Sequence, residues 1–590
     1  MLNTTQTEAL FDQALACHME GQIPQAQALY QEVLAMAPNH ANALHLLGVT
    51  AAQMGNPSKA VDLIGKAIAL DPGNEAFHFN RGIAFHELKE FSSAASSFDK
   101  ATGIKPDYFE AFCHRGNALH ELNRLEEAVA CYDQAVAIKP DYLEAYYRRG
   151  NALQELGRFD EAVASYDQSI AIRPDFAEAF ANRGNALQEL KRYVAAVKSF
   201  DDAIAIKPDI AQTHYNRANA LKKLRRFDSA LASYDRSISI KPDYQEACNN
   251  RGLLFQELNE LDAAIASFDK AIAIKDDYHD ARRHKSLALL LGGNFAQGWA
   301  LYESRWQTGK LAAVKRNFNR PLWLGDESIA GKTILLHGEQ GFGDSIQFCR
   351  YAQSVAELGA RVVLEAELPL VGLFERLAGV SKLVIKGNTL PGFDCHCPLM
   401  SLPLAFRTDI NSIPCPRPYL KSDPCKMAQW KRRIGTGTKP LIGLVWSGNA
   451  AHTNDTSRSI PLSTMIRYLP PDVACVSLQK EVRNDDRKTL DSHPNILDFG
   501  DELKDFSDTA ALCELMDVVI SVDTSVAHLG GALGRPTWVL LPFSPDWRWL
   551  LDRDDSPWYA SVRLFRQQQP DDWKPALEKL GHALMSAYGS

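Results

Sequence analysis

Three polar turns in the C-terminal half each follow an apolar run and hold the residue types that acid–base and phosphate chemistry need. The first is "HGEQGFGDSIQFCRY" (337–351). Gly341 and Gly343 permit a tight turn and close approach of a ligand. Asp344 follows at the start of a helix, where a carboxylate can take a proton or act as an N-cap worth roughly 1 kcal/mol. The second is "WSGNAAHTNDTSRSIPL" (446–462), with Ser447, Gly448, Asn449 and a loop ending in Arg458. An Arg delivered beside backbone N–H groups suits a diphosphate, and a solvated loop residue fits Arg458 equally well. The third is "ISVDTSVAHLGGALGRPTWVLL" (520–541), where Asp523, Thr524 and Ser525 open a Gly/Ala-rich helix and His528 lies three residues further on. Helix N-termini favour anions, so the first and third turns invite phosphate or a developing negative charge.

Such turns need strands behind them. "TILLHG" (333–338), "RVVLEA" (361–366), "KLVIKG" (382–387), "LIGLVWSG" (441–448), "ACVSLQ" (474–479), "VVISVD" (518–523) and "TWVLLP" (537–542) are short apolar runs, with helical stretches between most of them. That alternation predicts parallel sheets covered on both faces, divided by the Pro-rich stretch at 412–425 into two Rossmann-like halves. Ligands in such sheets sit at the carboxyl ends of the strands, where the three turns lie. Two decoys are set aside. "GDESIAGKT" (325–333) is one residue too long for a P-loop and precedes its strand. Cys395-His396-Cys397 has no second close ligand pair, which favours packing over metal binding.

The N-terminal half repeats every 34 residues. Pro38, Pro72, Pro106, Pro140, Pro174, Pro208 and Pro242 hold one column, and Ala26 to Ala264 another. Sixteen residues after Gly82, Gly116, Gly150, Gly184 and Gly252 come Phe98, Tyr132, Tyr166, Phe200 and Phe268. Small residues let paired helices approach, the aromatic fills the gap between them, and Pro stops the second helix. The pattern resembles the tetratricopeptide repeat. It predicts an all-α superhelix of eight units over 1–282, a degenerate capping repeat and linker at 283–330, then α/β halves at 331–425 and 426–590. On the first helix of each pair, Asn80, Asn182, Asn216 and Asn250 share one position; Asn117, Asn151, Asn185 and Asn219 share another. Asn is a mediocre helix former, and its carboxamide matches an extended peptide backbone, so both columns are candidates for gripping a peptide acceptor.

With 590 residues the chain exceeds one core. A formal charge of -8 argues against nucleic-acid and anionic-membrane partners. No apolar run is long enough to span a bilayer, no signal peptide is recognised, and the 11 scattered cysteines suit reduced thiols in a cytoplasmic protein.

"GFGDSIQF" (341–348) and "VDTSVAHLGGALGRP" (522–536) resemble the ADP-heptose:lipopolysaccharide heptosyltransferase family, inverting glycosyltransferases of the two-Rossmann GT-B fold. The resemblance implies Asp344 as general base. It implies Asp523, Thr524, Ser525 and His528 at the donor's sugar and phosphates, and Arg458 by position; the family usually has Gly at Ser525. "VSLQKE" (476–481, with Gln479 and Lys480) and "FSDTAAL" (506–512) are expected to border the nucleotide, with Ser447 and Asn449 on the donor too. Repeats joined to such a domain also resemble O-GlcNAc transferases and bacterial flagellin glycosyltransferases. The expectation is therefore a metal-independent, cofactor-free transfer of sugar from a nucleotide-sugar to a protein hydroxyl, flagellin among the possible acceptors. The alternatives are a non-catalytic repeat scaffold or a glycan- or lipid-directed transferase.

Overall fold

The computed structural model describes residues 2–414, 418–435, 437–451 and 454–589. Residues 415–417 of the Pro-rich stretch and 452–453 of the Arg458 loop therefore lie outside the described residues. The chain divides into two compact units, Met1–Asp243 and Tyr244–Ser590.

The first unit consists of antiparallel helix pairs, from Leu2–Met19 with Ile23–Met36 to Ala211–Lys223 with Phe227–Ile240. The glycine column is steric. A Cβ on Gly116 or Gly150 would lie 2.6 Å from the ring of Tyr132 or Tyr166, and one on Gly184 would lie 2.5 Å from Phe200. The rings are buried, as is the alanine column beside them. Each second helix stops where the sequence requires. Lys105, Lys139, Arg173 and Lys207 precede the prolines and are driven into extended backbone, with φ of -121°, -128°, -134° and -130°.

The second unit opens with the pairs Gln245–Glu257 with Leu261–Ile274, and His279–Leu291 with Phe295–Tyr302. The last pair keeps the repeat register from His279, earlier than residue 283, and its second helix is cut to 8 residues. Two parallel sheets follow. Strands β1 (Thr333–His337), β2 (Arg361–Ala366), β3 (Val380–Ile385) and β4 (Cys395–Pro398) are ordered β3-β2-β1-β4. Strands β5 (Leu441–Val445), β6 (Ala474–Ser477), β7 (Ile496–Asp498), β8 (Val518–Val522), β9 (Thr537–Leu541) and β10 (Val562–Arg566) are ordered β10-β9-β8-β5-β6-β7. β4, β7 and β10 were absent from the apolar runs, and β3 starts two residues before its run. Cys395 and Cys397 are buried on β4, in the core.

In each sheet the strand order reverses once, at β1/β4 and at β5/β8. The turns after β1, β5 and β8 carry Asp344, Ser447 and Asp523, so the three polar turns sit at the two crevices that such reversals create. One core joins both sheets to the last helix pair. Trp299 packs edge-on to Trp547 at 5.1 Å and Phe348 at 6.4 Å.

Candidate functional site

After β1 the chain has no slack. A Cβ on Gly338 would lie 3.0 Å from the Glu367 carboxylate and the Ser345 hydroxyl. Glu339, buried, accepts two hydrogen bonds from Arg305 at 2.9 and 3.0 Å, and the Gln340 amide donates to Tyr302 Oη at 3.0 Å. The helix Phe342–Phe348 then begins, with Gly341 as its N-cap. Asp344 is the third residue of that helix, not the N-cap that one sequence reading allowed. Its Oδ2 reaches back to accept the Gly341 N–H at 2.9 Å. Its Oδ1 pairs with the Arg548 guanidinium from the second half. Burial raises the Asp344 carboxyl above the usual range, and the Arg548 charge and the Gly341 N–H oppose that.

At the end of β5, the Ser447 N–H donates to Gln479 Oε1 at 3.3 Å, and the Gln479 amide donates to the Ser447 carbonyl at 3.0 Å. The Gly448 N–H donates to Ser459 Oγ at 3.1 Å. These two N–H groups, expected beside a diphosphate, are thus engaged within the protein. Gly448 is required for another reason: the Arg458 guanidinium lies across it, and a Cβ there would be 2.6 Å from Nη2. Arg458 Nη1 donates to the Asp523 carbonyl at 3.0 Å, which ties the turn after β5 to the turn after β8. Asn449 accepts the Ala451 N–H at 2.9 Å and closes its own exposed turn, and exposed Lys480 reaches the Lys504 carbonyl at 3.5 Å. Neither is held by the groups around Asp344.

After β8, Thr524 is the N-cap of helix Ser525–Ala532, though its hydroxyl meets Ser521 Oγ at 3.1 Å and does not cap. Asp523 is pushed up to about 6 by burial and then by Asp546, against the Trp549 indole, Arg458 and Arg548. The His528 ring stacks on Trp549 at 5.2 Å and 16°, with Nδ1 3.0 Å from Tyr559 Oη. Burial, with the Arg548 and Arg350 charges, holds its pKa well below the usual value, so it is a neutral imidazole. The two motif helices touch. A Cβ on Gly343 would lie 3.0 Å from His528 Cδ2 and 3.5 Å from Ser525 Cα.

"FSDTAAL" (506–512) follows β7 in the second half. It opens the helix Phe506–Leu515, whose first N–H groups are taken by the Asp505 carboxylate at 2.9 and 3.3 Å. Ser507 packs against Gly372 of helix Leu368–Phe374, so this segment ties the two halves together. Arg548 and Asp546 were missed altogether. They lie in "SPDWRWLLDRDDSPWY", a stretch read only for its tryptophans, of which Trp547, Trp549 and Trp558 prove to be buried. An Arg between two Trp, with an Asp just before them, was the only local signal.

In the first unit, many carboxamides are already occupied. Asn117, Asn151 and Asn219 accept from the hydroxyls of Tyr132, Tyr166 and Tyr234 at 2.9, 2.9 and 2.5 Å. Asn182 donates to Asn151 at 3.0 Å and Asn216 to Asn185 at 2.7 Å, in each case from one repeat to the one before. Asn80 meets His45 Nε2 at 2.8 Å. Asn250, in the second unit, accepts from Asn249 at 3.4 Å. The two columns are therefore first a ladder that stitches repeats together. They still border a groove of about 250 Å³ lined by Asn117, Asn151, Asn182, Arg148, Glu121 and Glu155 among others.

The repeats are tetratricopeptide repeats. Residues 116–157 and 150–191 match a family model described as "TPR repeat". Residues 18–79, 211–244, 177–210 and 245–278 match models described as "Tetratricopeptide repeat". The chain is similar to Protein FlbA of Caulobacter vibrioides, with 26% identity over 324 residues, or 51% of this chain and 54% of that protein. It thus spans about half the length of that curated relative. Among solved structures it is similar to YrrB, titled "a TPR protein with an unusual peptide-binding site", with 24% identity over 33% of this chain and 100% of that one and a TM-score of 0.30. It is also similar to the C-terminal part of a TPR repeat-containing protein from Cytophaga hutchinsonii, with 18% identity over 40% of this chain and 97% of that one and a TM-score of 0.36.

Proposed function

We propose that this chain is an inverting, metal-independent glycosyltransferase of GT-B type that moves a sugar from a nucleotide-sugar to a hydroxyl of a protein recruited by its repeats. The observation that carries the reading is convergence. Turns from two separate parallel sheets, each at a strand-order reversal, bring Asp344, Asp523 and His528 to helices that touch at Gly343 and His528, and Arg458 is tied to the same place through the Asp523 carbonyl. In the proposed step the acceptor hydroxyl gives its proton to Asp344 as its oxygen bonds to the anomeric carbon. The bond from that carbon to the donor's phosphate oxygen breaks with inversion. The nucleoside diphosphate leaves with its charge facing Arg458 and the N-terminus of helix Ser525–Ala532. Asp523 meets sugar hydroxyls.

The test begins with a panel of UDP-glucose, UDP-N-acetylglucosamine, GDP-mannose and ADP-heptose, scored by thermal shift and by hydrolysis in water. Asp344→Asn should keep the fold and donor binding and lower turnover roughly a hundredfold or more. Turnover within a few-fold of wild type removes Asp344 from the base role. One observation favours a second reading, a repeat scaffold with an inactive sugar-nucleotide fold: both oxygens of Asp344 are engaged, by Gly341 and Arg548. Binding of a donor without any turnover would select it.

A further inference from the structure

We propose that Arg548 is the positioning residue for Asp344: from the second half of the α/β region it holds the carboxylate of the first half ionised and in one orientation for proton transfer. This rests on the glycosyltransferase reading and adds a residue to it.

The geometry has three parts. Arg548 sits in the short 3-10 turn Trp547–Trp549 and spreads its donors over three acceptors. Nε donates to Gln347 Oε1 at 2.7 Å, Nη1 to Asp546 Oδ1 at 2.7 Å, and Nη2 to Asp344 Oδ1. Gln347 lies one helical turn beyond Asp344 in the helix Phe342–Phe348, so a single guanidinium grips that helix twice. The Trp547 ring lies 4.3 Å and the Phe348 ring 5.9 Å from its central carbon, and its side chain is only 9% exposed. Such a group has little freedom, and neither has the carboxylate, whose second oxygen is fixed by Gly341.

Electrostatics gives the grip a purpose. Asp344, its side chain 19% exposed, lies beside further negative charge: Asp546 and Glu367 push its carboxyl up, and Glu339 lies close by, itself paired with Arg305. Burial among carboxylates favours the protonated acid, which cannot accept a proton. The facing cation that opposes this is Arg548. Asp546, on the far side of the guanidinium, also helps to cap the turn that carries it, accepting the Arg548 N–H at 3.0 Å. Lysine at this position would keep a charge and lose the fork, so charge and orientation are separable by substitution.

The experiment uses the full chain and the panel donor that the wild type hydrolyses fastest. For wild type, Arg548→Gln and Arg548→Lys, kcat and KM are measured from pH 5 to 9. Arg548→Gln should move the acid limb of kcat up by at least about one pH unit and lower kcat at pH 7 about tenfold to a hundredfold. At the alkaline end of the range, where Asp523, whose carboxyl Arg548 also holds down, is ionised, the donor KM should change less than about threefold. Arg548→Lys should return the limb towards its wild-type position while kcat on the plateau stays about tenfold low from lost orientation. A limb that stays in place in Arg548→Gln overturns the inference and leaves the functional reading standing. Folding is followed independently by tryptophan fluorescence in denaturant on Arg548→Gln, Asp344→Asn and the double variant. Additive losses mean that the pair does not interact, which also overturns the inference. Absence of any turnover in the wild type overturns the functional reading, and Arg548 is then a structural tie.

Discussion

At the residue scale, the site stores electrostatic cost in particular side chains. Asp523 is pushed up to about 6, above the ordinary carboxylate value. The native state therefore binds this proton more tightly than the unfolded chain does. Its contribution to stability is fully present below about pH 4, the unfolded value, and is lost as pH rises through about 6. At neutral pH the ionised group costs on the order of 2–3 kcal/mol. Asp523→Asn, a neutral isostere, should thus raise the Tm of the second unit by a few degrees at pH 7.5. That gain should vanish near pH 4. The same change should weaken binding of the nucleotide-sugar while binding of the bare nucleoside diphosphate is spared. His528 has the opposite sign. Its buried form is neutral, so stability is lost as pH falls below about 6.5, and Asp523→Asn should leave that limb in place. Melting curves followed across pH separate the two, and a Tm at pH 7.5 below that of wild type contradicts the account of Asp523.

At the element scale, glycines decide how close helices come. Gly343 and Gly150 both sit on contacts that a methyl group would invade, yet the consequences differ. In Gly343→Ala the new Cβ would be 3.0 Å from His528 Cδ2, a crowding that a shift of a few tenths of an ångström relieves. That shift displaces Asp344, the next residue. Hydrolysis should fall about tenfold or more at nearly unchanged stability. In Gly150→Ala the Cβ would be 2.6 Å from a buried Tyr166 ring, so the helix pair must open. The first unit should lose about 1–3 kcal/mol with hydrolysis untouched. Denaturation and donor hydrolysis on both variants check the contrast, and a matching pair of losses refutes it. The glycine column was legible because eight copies keep one register. The turns at Gly341, Gly448 and Asp523 were legible because polar residues interrupt apolar runs. Three strands were not. β7 has three residues, β4 is the mixed run Cys395–Pro398, and in β10 two arginines interrupt the apolar residues. Arg548 left only a faint local signal, an Arg between two Trp, because its meaning depends on Asp344, 204 positions away in sequence. The partners of the Ser447 and Gly448 N–H groups were not legible for a similar reason: Gln479 and Ser459 take them, and neither is adjacent in sequence.

At the scale of the whole molecule, one unit is built entirely of repeats and the other joins two further helix pairs to the α/β core. On the proposed reading, chemistry belongs to the second unit and acceptor choice extends to the first. The asparagines are where that division can be tested, because they have two jobs to separate. As a ladder, Asn182 and Asn216 hold neighbouring repeats through Asn151 and Asn185. On the proposed reading they also offer carboxamides to a peptide backbone, Asn182 from the lining of the groove and Asn216 from the same position further along, at about 0.5–1.5 kcal/mol net per hydrogen bond. The double change of Asn182 and Asn216 to Ala removes both roles. Tyr166→Phe removes only the hydroxyl that donates to Asn151 at 2.9 Å and to Gln154 at 3.4 Å, and leaves every carboxamide in place. Both variants should lower the stability of the first unit, by about 1 kcal/mol per lost bond. Only the asparagine variant should also lower transfer to a protein acceptor, by about tenfold or more on the same arithmetic. Donor hydrolysis should be unchanged in both, since the strand-end turns belong to the other unit. The measurement sets transfer to protein beside hydrolysis in water on one preparation, with denaturation of each variant as the common scale. If Tyr166→Phe loses as much transfer as the asparagine variant at equal loss of stability, the carboxamides act through the fold alone. The repeats must then select their acceptor by other side chains.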